Sequence, residues 1–131
     1  MKYLSDYTQE ATTKALNAHG AFWAFSQSQF NEQKKEGVKY VTMGSGLVCK
    51  SGHSQALADD LDAVRAAGIA QDIAENGLDG IIKRELYNHE CFYTGDWQEC
   101  AVQGAFSGYD IPDADVLRVY RAEYPNASKD M

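Results

Sequence analysis

The hydrophobic rhythm of this chain changes at one place, and that change limits what it can fold into. Between Ala21 and Cys49, apolar, aromatic and β-branched residues come in short interleaved runs; from Ser54 onward apolar residues recur every three or four positions. The first pattern suits strands, and the second suits helices with one buried face. Few strands, grouped early and bracketed by helical segments, predict an α+β fold with a helical majority. We expect about five or six helices packed on a small antiparallel sheet of two or three short strands.

Local signals place these elements. Asp6 and Gln9 form a capping box for a first helix over Tyr7–Asn17, closed by His19 and Gly20. The aromatic run Ala21–Phe25 reads as a buried strand. Ser26 and Gln29 form a second box, opening a polar helix that ends at Gly37. Val38–Met43 and Leu47–Cys49 read as strands, with Gly44-Ser45-Gly46 as the hairpin turn or bulge between them.

A helix with Leu57, Leu61 and Val64 on one face should stop at Gly68, and a shorter one from Ile69 should break at Asn76-Gly77. Leu78, Ile82, Leu86 and His89 then fall on one stripe. Asp96 and Glu99 make a third capping box, and Pro112 opens a last helix that Pro125 should end.

At 131 residues, 44% hydrophobic and 24% charged, the chain has the size and apolar content of a single globular domain over 1–131, its tail frayed from about Asn126. Net charge is −7, and the only basic clusters, Lys34-Lys35 and Lys83-Arg84, each adjoin acid. Direct nucleic-acid binding is therefore not expected. No apolar run approaches the ~20 residues of a membrane span. The first residues carry no signal-peptide core, so a cytoplasmic location without membrane contact is expected. Cysteines 49, 91 and 100 are too few and too odd for a disulfide framework, and buried reduced thiols are expected.

Several residues could carry chemistry. Gly44-Ser45-Gly46 lacks the strand-to-helix setting of a phosphate loop. Cys49, His53, His89, Cys91 and Cys100 could supply zinc ligands, but their spacings match no paired knuckle, so neither metal nor cofactor is expected. Glu85 and His89 lie four apart on one helix, with Glu90 and Asp96 close in sequence. A carboxylate beside an imidazole can tune a general base, which makes these four the candidate catalytic set. The same residues also read as a half-buried histidine with a hydrogen-bonded neighbour and a helix cap. Asp59, Asp60 and Asp62, then Asp110, Asp113 and Asp115, are candidate binding acids that could meet a basic partner surface.

The stretches Gly68–Gly77, Ile81–Leu86, Asn88-His89-Glu90 and Tyr93–Asp96, with Gly20–Ser26 and Lys39–Leu47 upstream, resemble a family of short uncharacterised bacteriophage and prophage proteins over residues 7–124. That resemblance implies a small accessory protein in an infected bacterium, and it brings no catalytic residue with it. The expected function is stoichiometric binding to a host or phage protein, in its sharpest form inhibition of a nucleic-acid-handling defence complex of the CRISPR-effector or restriction type. The alternatives are a structural or regulatory accessory protein and, third, a small metal-assisted hydrolase centred on His89.

Overall fold

A computed structural model describes residues 2–98 and 100–128, giving only the backbone at 100 and 101. Glu99 of the third capping box and the Cys100 side chain therefore lie outside the described residues. The elements are α1 (Leu4–Ala18), β1 (Phe22–Trp23), α2 (Gln27–Gln33), β2 (Tyr40–Gly44), β3 (Leu47–Lys50), α3 (Ser54–Asn88), α4 (Cys91–Thr94), α5 (Cys100–Ala105) and α6 (Asp113–Ser128). The fold is α+β with a helical majority and a three-stranded antiparallel sheet in the order β1-β3-β2. The chain divides into two compact units: Ser5–Gly68, and the described residues through Leu4 together with those from Ile69 onward.

In the Ser5–Gly68 unit, β3 is central and pairs with Phe22-Trp23 on one side and Tyr40–Gly44 on the other. Alternation along β3 sends Leu47 and Cys49 to one face, where they meet Ala15 of α1 and Leu57 of α3. Val48 pairs with Phe22 and Thr42 on the opposite face. Phe22, Tyr40 and Phe30 of α2 interlock nearby at ring separations of 5.3–6.0 Å. Ser45 and Gly46 both take positive φ, 55° and 87°, as a primed two-residue hairpin turn requires. The glycine pair is therefore a hairpin.

The other unit gathers Ile82 and Leu86 of α3, Cys91 and Phe92 of α4, Val102 and Phe106, and Val116, Val119 and Ala127 of α6 into one cluster. Ile69, Ile81 and Tyr109 form a second.

Five local expectations are corrected. α1 begins at Leu4, so Asp6 sits in its first turn, favourable to the helix dipole, and does not cap it. Ala21–Phe25 is not a buried strand: only Phe22-Trp23 pairs, and Trp23 and Phe25 are exposed. α2 stops at Gln33, with Lys34 as its carboxyl-terminal cap, short of Gly37. Gly68 does not end a helix. It is buried within α3, whose one non-helical residue is Gly77 at φ 70°, ψ 157°, where the break was expected. Pro125 likewise lies inside α6, which continues to Ser128 because Ala127 is buried in the core. Among the described residues, no helix is long and apolar enough to cross a membrane.

Candidate functional site

The residues singled out by sequence are only partly brought together. Glu85 is buried and accepts a hydrogen bond from Arg84 Nε at 3.1 Å, while its other oxygen lies 3.8 Å from His89 Nε2. Glu90 is exposed at a left-handed φ of 56° before α4. Asp96 is exposed and accepts from the Gln98 N–H at 3.0 Å, the role of a local cap. The helical pair Glu85–His89 is thus real, but its carboxylate is shared with a buried guanidinium.

The six acids divide between the units. Asp59 accepts from Gln55 one turn back, Asp60 contacts His19, and Asp62 is exposed. Asp110 is exposed at φ 59°, while Asp113 and Asp115 occupy the first turn of α6. Asp115 lies 3.6 Å from Arg118, which binds Asp79 at 2.7 Å. Exposed pairs of this kind add little stability. Cys49 and Cys91 are buried and form no disulfide, and burial pushes Cys49 above its usual pKa. Among the described residues, no group of three or more His, Cys, Asp or Glu side chains is arranged to hold a metal.

Sequence reasoning passed over a buried ionic cluster. Arg84 grips Asp72 with two parallel bonds of 2.8 and 3.0 Å and donates to the Lys2 carbonyl at 2.9 Å. Tyr109 and Asn76 donate to the same carboxylate at 2.6 and 2.7 Å. Burial disfavours the charged Asp72, but hydrogen bonds from Arg84, Tyr109 and Asn76 outweigh it and hold its pKa below the usual carboxylate range. Burial and the bond to Asp72 push Tyr109 up to about 12. Among the described residues every buried side-chain polar atom has a hydrogen-bond partner, as a structural network requires. Asp72 lies one helical turn from Ile69, on the apolar side, and an acid there demands a buried cation. The sequence shows Arg84 only as half of a basic pair, Lys83-Arg84, that adjoins acid, with nothing to mark it as buried.

A second polar cluster joins three residues of the Ser5–Gly68 unit. His19 follows α1, where Gly20 takes φ 61° and the Ala21 N–H returns to the Leu16 carbonyl. Its own carbonyl accepts from Lys50 N at 3.3 Å, and the Lys50 carbonyl accepts from His53 N at 3.0 Å. The end of β3 therefore brackets two histidines far apart in sequence. The His53 carbonyl accepts the Leu57 N–H at the start of α3, and Asp60 stands about two turns further along that helix. The imidazoles meet Nδ1 to Nδ1 at 3.1 Å in a T-shaped arrangement, and His19 Nε2 lies 2.7 Å from Asp60 Oδ2.

A carboxylate only accepts, so His19 carries its proton on Nε2; with His19 neutral, His53 must donate from Nδ1. The Asp60–His19 pair has the form of an oriented imidazole, but its inner nitrogen faces another imidazole and no nucleophile. His53 was visible in the sequence through its spacing from Cys49, whereas His19 had been read only as a helix terminator.

A further exposed feature lies on the edge strand. Trp23 and Phe25 are 47% and 71% exposed, and their rings stack within 7° of parallel at 6.2 Å. The Gln33 amide fixes Trp23 through its carbonyl, and the Gln29 side chain accepts the Phe25 N–H at 2.7 Å. The Phe25 ring lies so close over Gly46 that a β-carbon there would collide with it.

No curated protein and no solved structure matches this chain. Residues 4–122 match the model of a family described as of unknown function, so the chain belongs to that family, DUF7659.

Proposed function

We propose that this chain is a protein-binding module that acts by occupying a partner's surface, with Trp23 and Phe25 as its contact. The observation that carries the reading is the exposed, stacked pair held by Gln29, Gln33 and the Gly46 turn. Rigid aromatics already in position lose little entropy on binding, and such residues dominate interface energies. A net charge of −7 favours a partner whose facing surface is basic.

Basic surfaces are characteristic of nucleic-acid-handling proteins. The narrower form of the proposal is therefore a cytoplasmic accessory protein of a phage or mobile element, inhibiting such a complex in its host. The resemblance to phage and prophage proteins and the surplus of acid support that form.

The test is a tagged capture from bacterial lysate at low and at high salt, run beside a Trp23→Ala/Phe25→Ala double variant. One complex held by the native chain, shed at high salt and lost from the variant, is the expected result. Equal capture by both proteins would overturn the assignment of the contact, and capture indifferent to salt would remove the charge component. Reversible dimers of the native chain that the double variant abolishes would instead make a second copy the occupant.

A further inference from the structure

We propose that His19 and His53 form a two-histidine site for one divalent metal ion of imidazole preference, Zn²⁺ being the representative, with Asp60 as the supporting carboxylate. This inference stands independently of the protein-binding proposal.

The geometry is that of two ligands sharing an ion. Zinc–nitrogen bonds of about 2.0–2.1 Å at angles between about 90° and 110° place the two nitrogens roughly 2.9–3.4 Å apart. The Nδ1 atoms of His19 and His53 are separated by 3.1 Å. Such a separation also suits a hydrogen bond, and the third residue adds a second feature of a metal-binding histidine. Metal-bound histidines commonly donate their outer N–H to a carboxylate, which fixes the tautomer and raises ligand basicity. Asp60 Oδ2 lies 2.7 Å from His19 Nε2, on the side of the ring away from His53. That contact leaves the His19 Nδ1 lone pair on the side of the ring that faces His53.

Binding requires a change of tautomer and a turn of the two rings toward the ion. With His19 neutral, the proton on His53 Nδ1 moves to Nε2 through solvent, the two Nδ1 lone pairs take the ion, and no net proton is released. When the pair shares an additional proton, one proton leaves as the ion enters. The backbone is already set, since both histidines are hydrogen-bonded to Lys50. The His19 side chain is only 13% exposed, which limits its freedom before the ion arrives.

Nitrogen donors select zinc, copper, nickel or cobalt over magnesium or calcium, which require oxygen. Among the described residues no third side chain completes the set. The remaining positions are therefore taken by water or by an added ligand, and the ion exchanges readily.

The chain's three histidines make the test selective. ZnCl₂ is titrated into reduced protein while the imidazole nitrogens are followed by long-range ¹H–¹⁵N correlation spectra. The His19 and His53 Nδ1 resonances should move together and saturate at one equivalent, with His89 unmoved. Calorimetry should show at least a tenfold loss of zinc affinity in His19→Ala and in His53→Ala, and about tenfold in Asp60→Asn. His89→Ala should bind as the native chain does. Unshifted His19 and His53, including zinc taken up by the cysteine thiols alone, would overturn the site. So would affinities indifferent to both alanine variants. The native-chain spectra decide the question even if a variant fails to fold.

Discussion

Arg84 holds Asp72 by two parallel hydrogen bonds inside the Ile69-to-α6 unit, and both side chains are almost wholly removed from solvent. A buried pair of this kind need not be more stabilising than apolar residues of the same shape, but losing one partner strands the other charge. Arg84→Met and Asp72→Ala should each lower unfolding free energy by about 3–5 kcal/mol in urea titrations. Arg84→Lys should lie close to them, because an ammonium cannot reproduce the paired geometry. A loss under about 1 kcal/mol in all three would show that the cluster is not coupled to folding.

Tyr109 gives the same cluster an alkaline signature. Its folded pKa of about 12 lies above the ordinary tyrosine value of 10.0, so the unfolded chain ionises first. Stability from Tyr109 is complete below about pH 10 and is lost as pH rises toward about 12. Asp72 works in the opposite sense: its lowered pKa contributes stability above about pH 4 that is lost as pH falls through the folded value. Unfolding free energies between pH 8 and 11 should fall less steeply in Tyr109→Phe than in the native chain. Parallel slopes would place the alkaline loss elsewhere.

How much was legible follows from how local each signal is. The Ser26–Gln29 signal was confirmed, with Ser26 accepting the Gln29 N–H, although the Gln29 side chain reaches the Phe25 N–H and not that of Ser26. The hairpin at Ser45-Gly46 and the break at Gly77 also rested on near neighbours and backbone geometry. Element ends were misread wherever burial overrode a local stop: Gly68 is buried mid-helix, and Ala127 is buried beyond Pro125. The polar clusters were hidden for a different reason. His19 and His53 are 34 positions apart, and Asp72 and Tyr109 are 37 apart. No spacing rule joins them, because the turn at Lys50 and the packing of Tyr109 with Ile69 and Ile81 are products of the fold. Glu85 and His89 were paired correctly because one helix carries both.

Gly77 interrupts α3 at φ 70° and ψ 157°, a region that residues with a β-carbon rarely enter. A β-carbon there would meet no neighbouring atom within 4 Å, so the cost of substitution is conformational and not steric crowding. Gly77→Ala should destabilise the protein by about 1–3 kcal/mol in thermal or urea unfolding. A gain of about 1 kcal/mol, the usual benefit of replacing glycine within a helix, would mean that α3 straightens without loss and that the break is dispensable.

Trp23 and Phe25 separate binding from folding. Phe25 is mostly exposed and Trp23 about half exposed, so truncating them removes a limited buried area, and the double alanine variant should stay folded while losing about 1–3 kcal/mol of unfolding free energy. If the stacked rings are the contact, the same variant should weaken partner binding by at least about 2 kcal/mol, roughly thirtyfold. Gly46→Ala should act in the same direction by a different route, since its β-carbon would displace the Phe25 ring and its φ of 87° strains any other residue. Comparing the two variants by calorimetric unfolding and by titration against the captured partner distinguishes the explanations. Binding lost well beyond the change in stability, in a double variant that still folds, assigns the contact to the aromatic pair. Binding lost only in proportion to stability would return Trp23 and Phe25 to the role of surface packing over the hairpin.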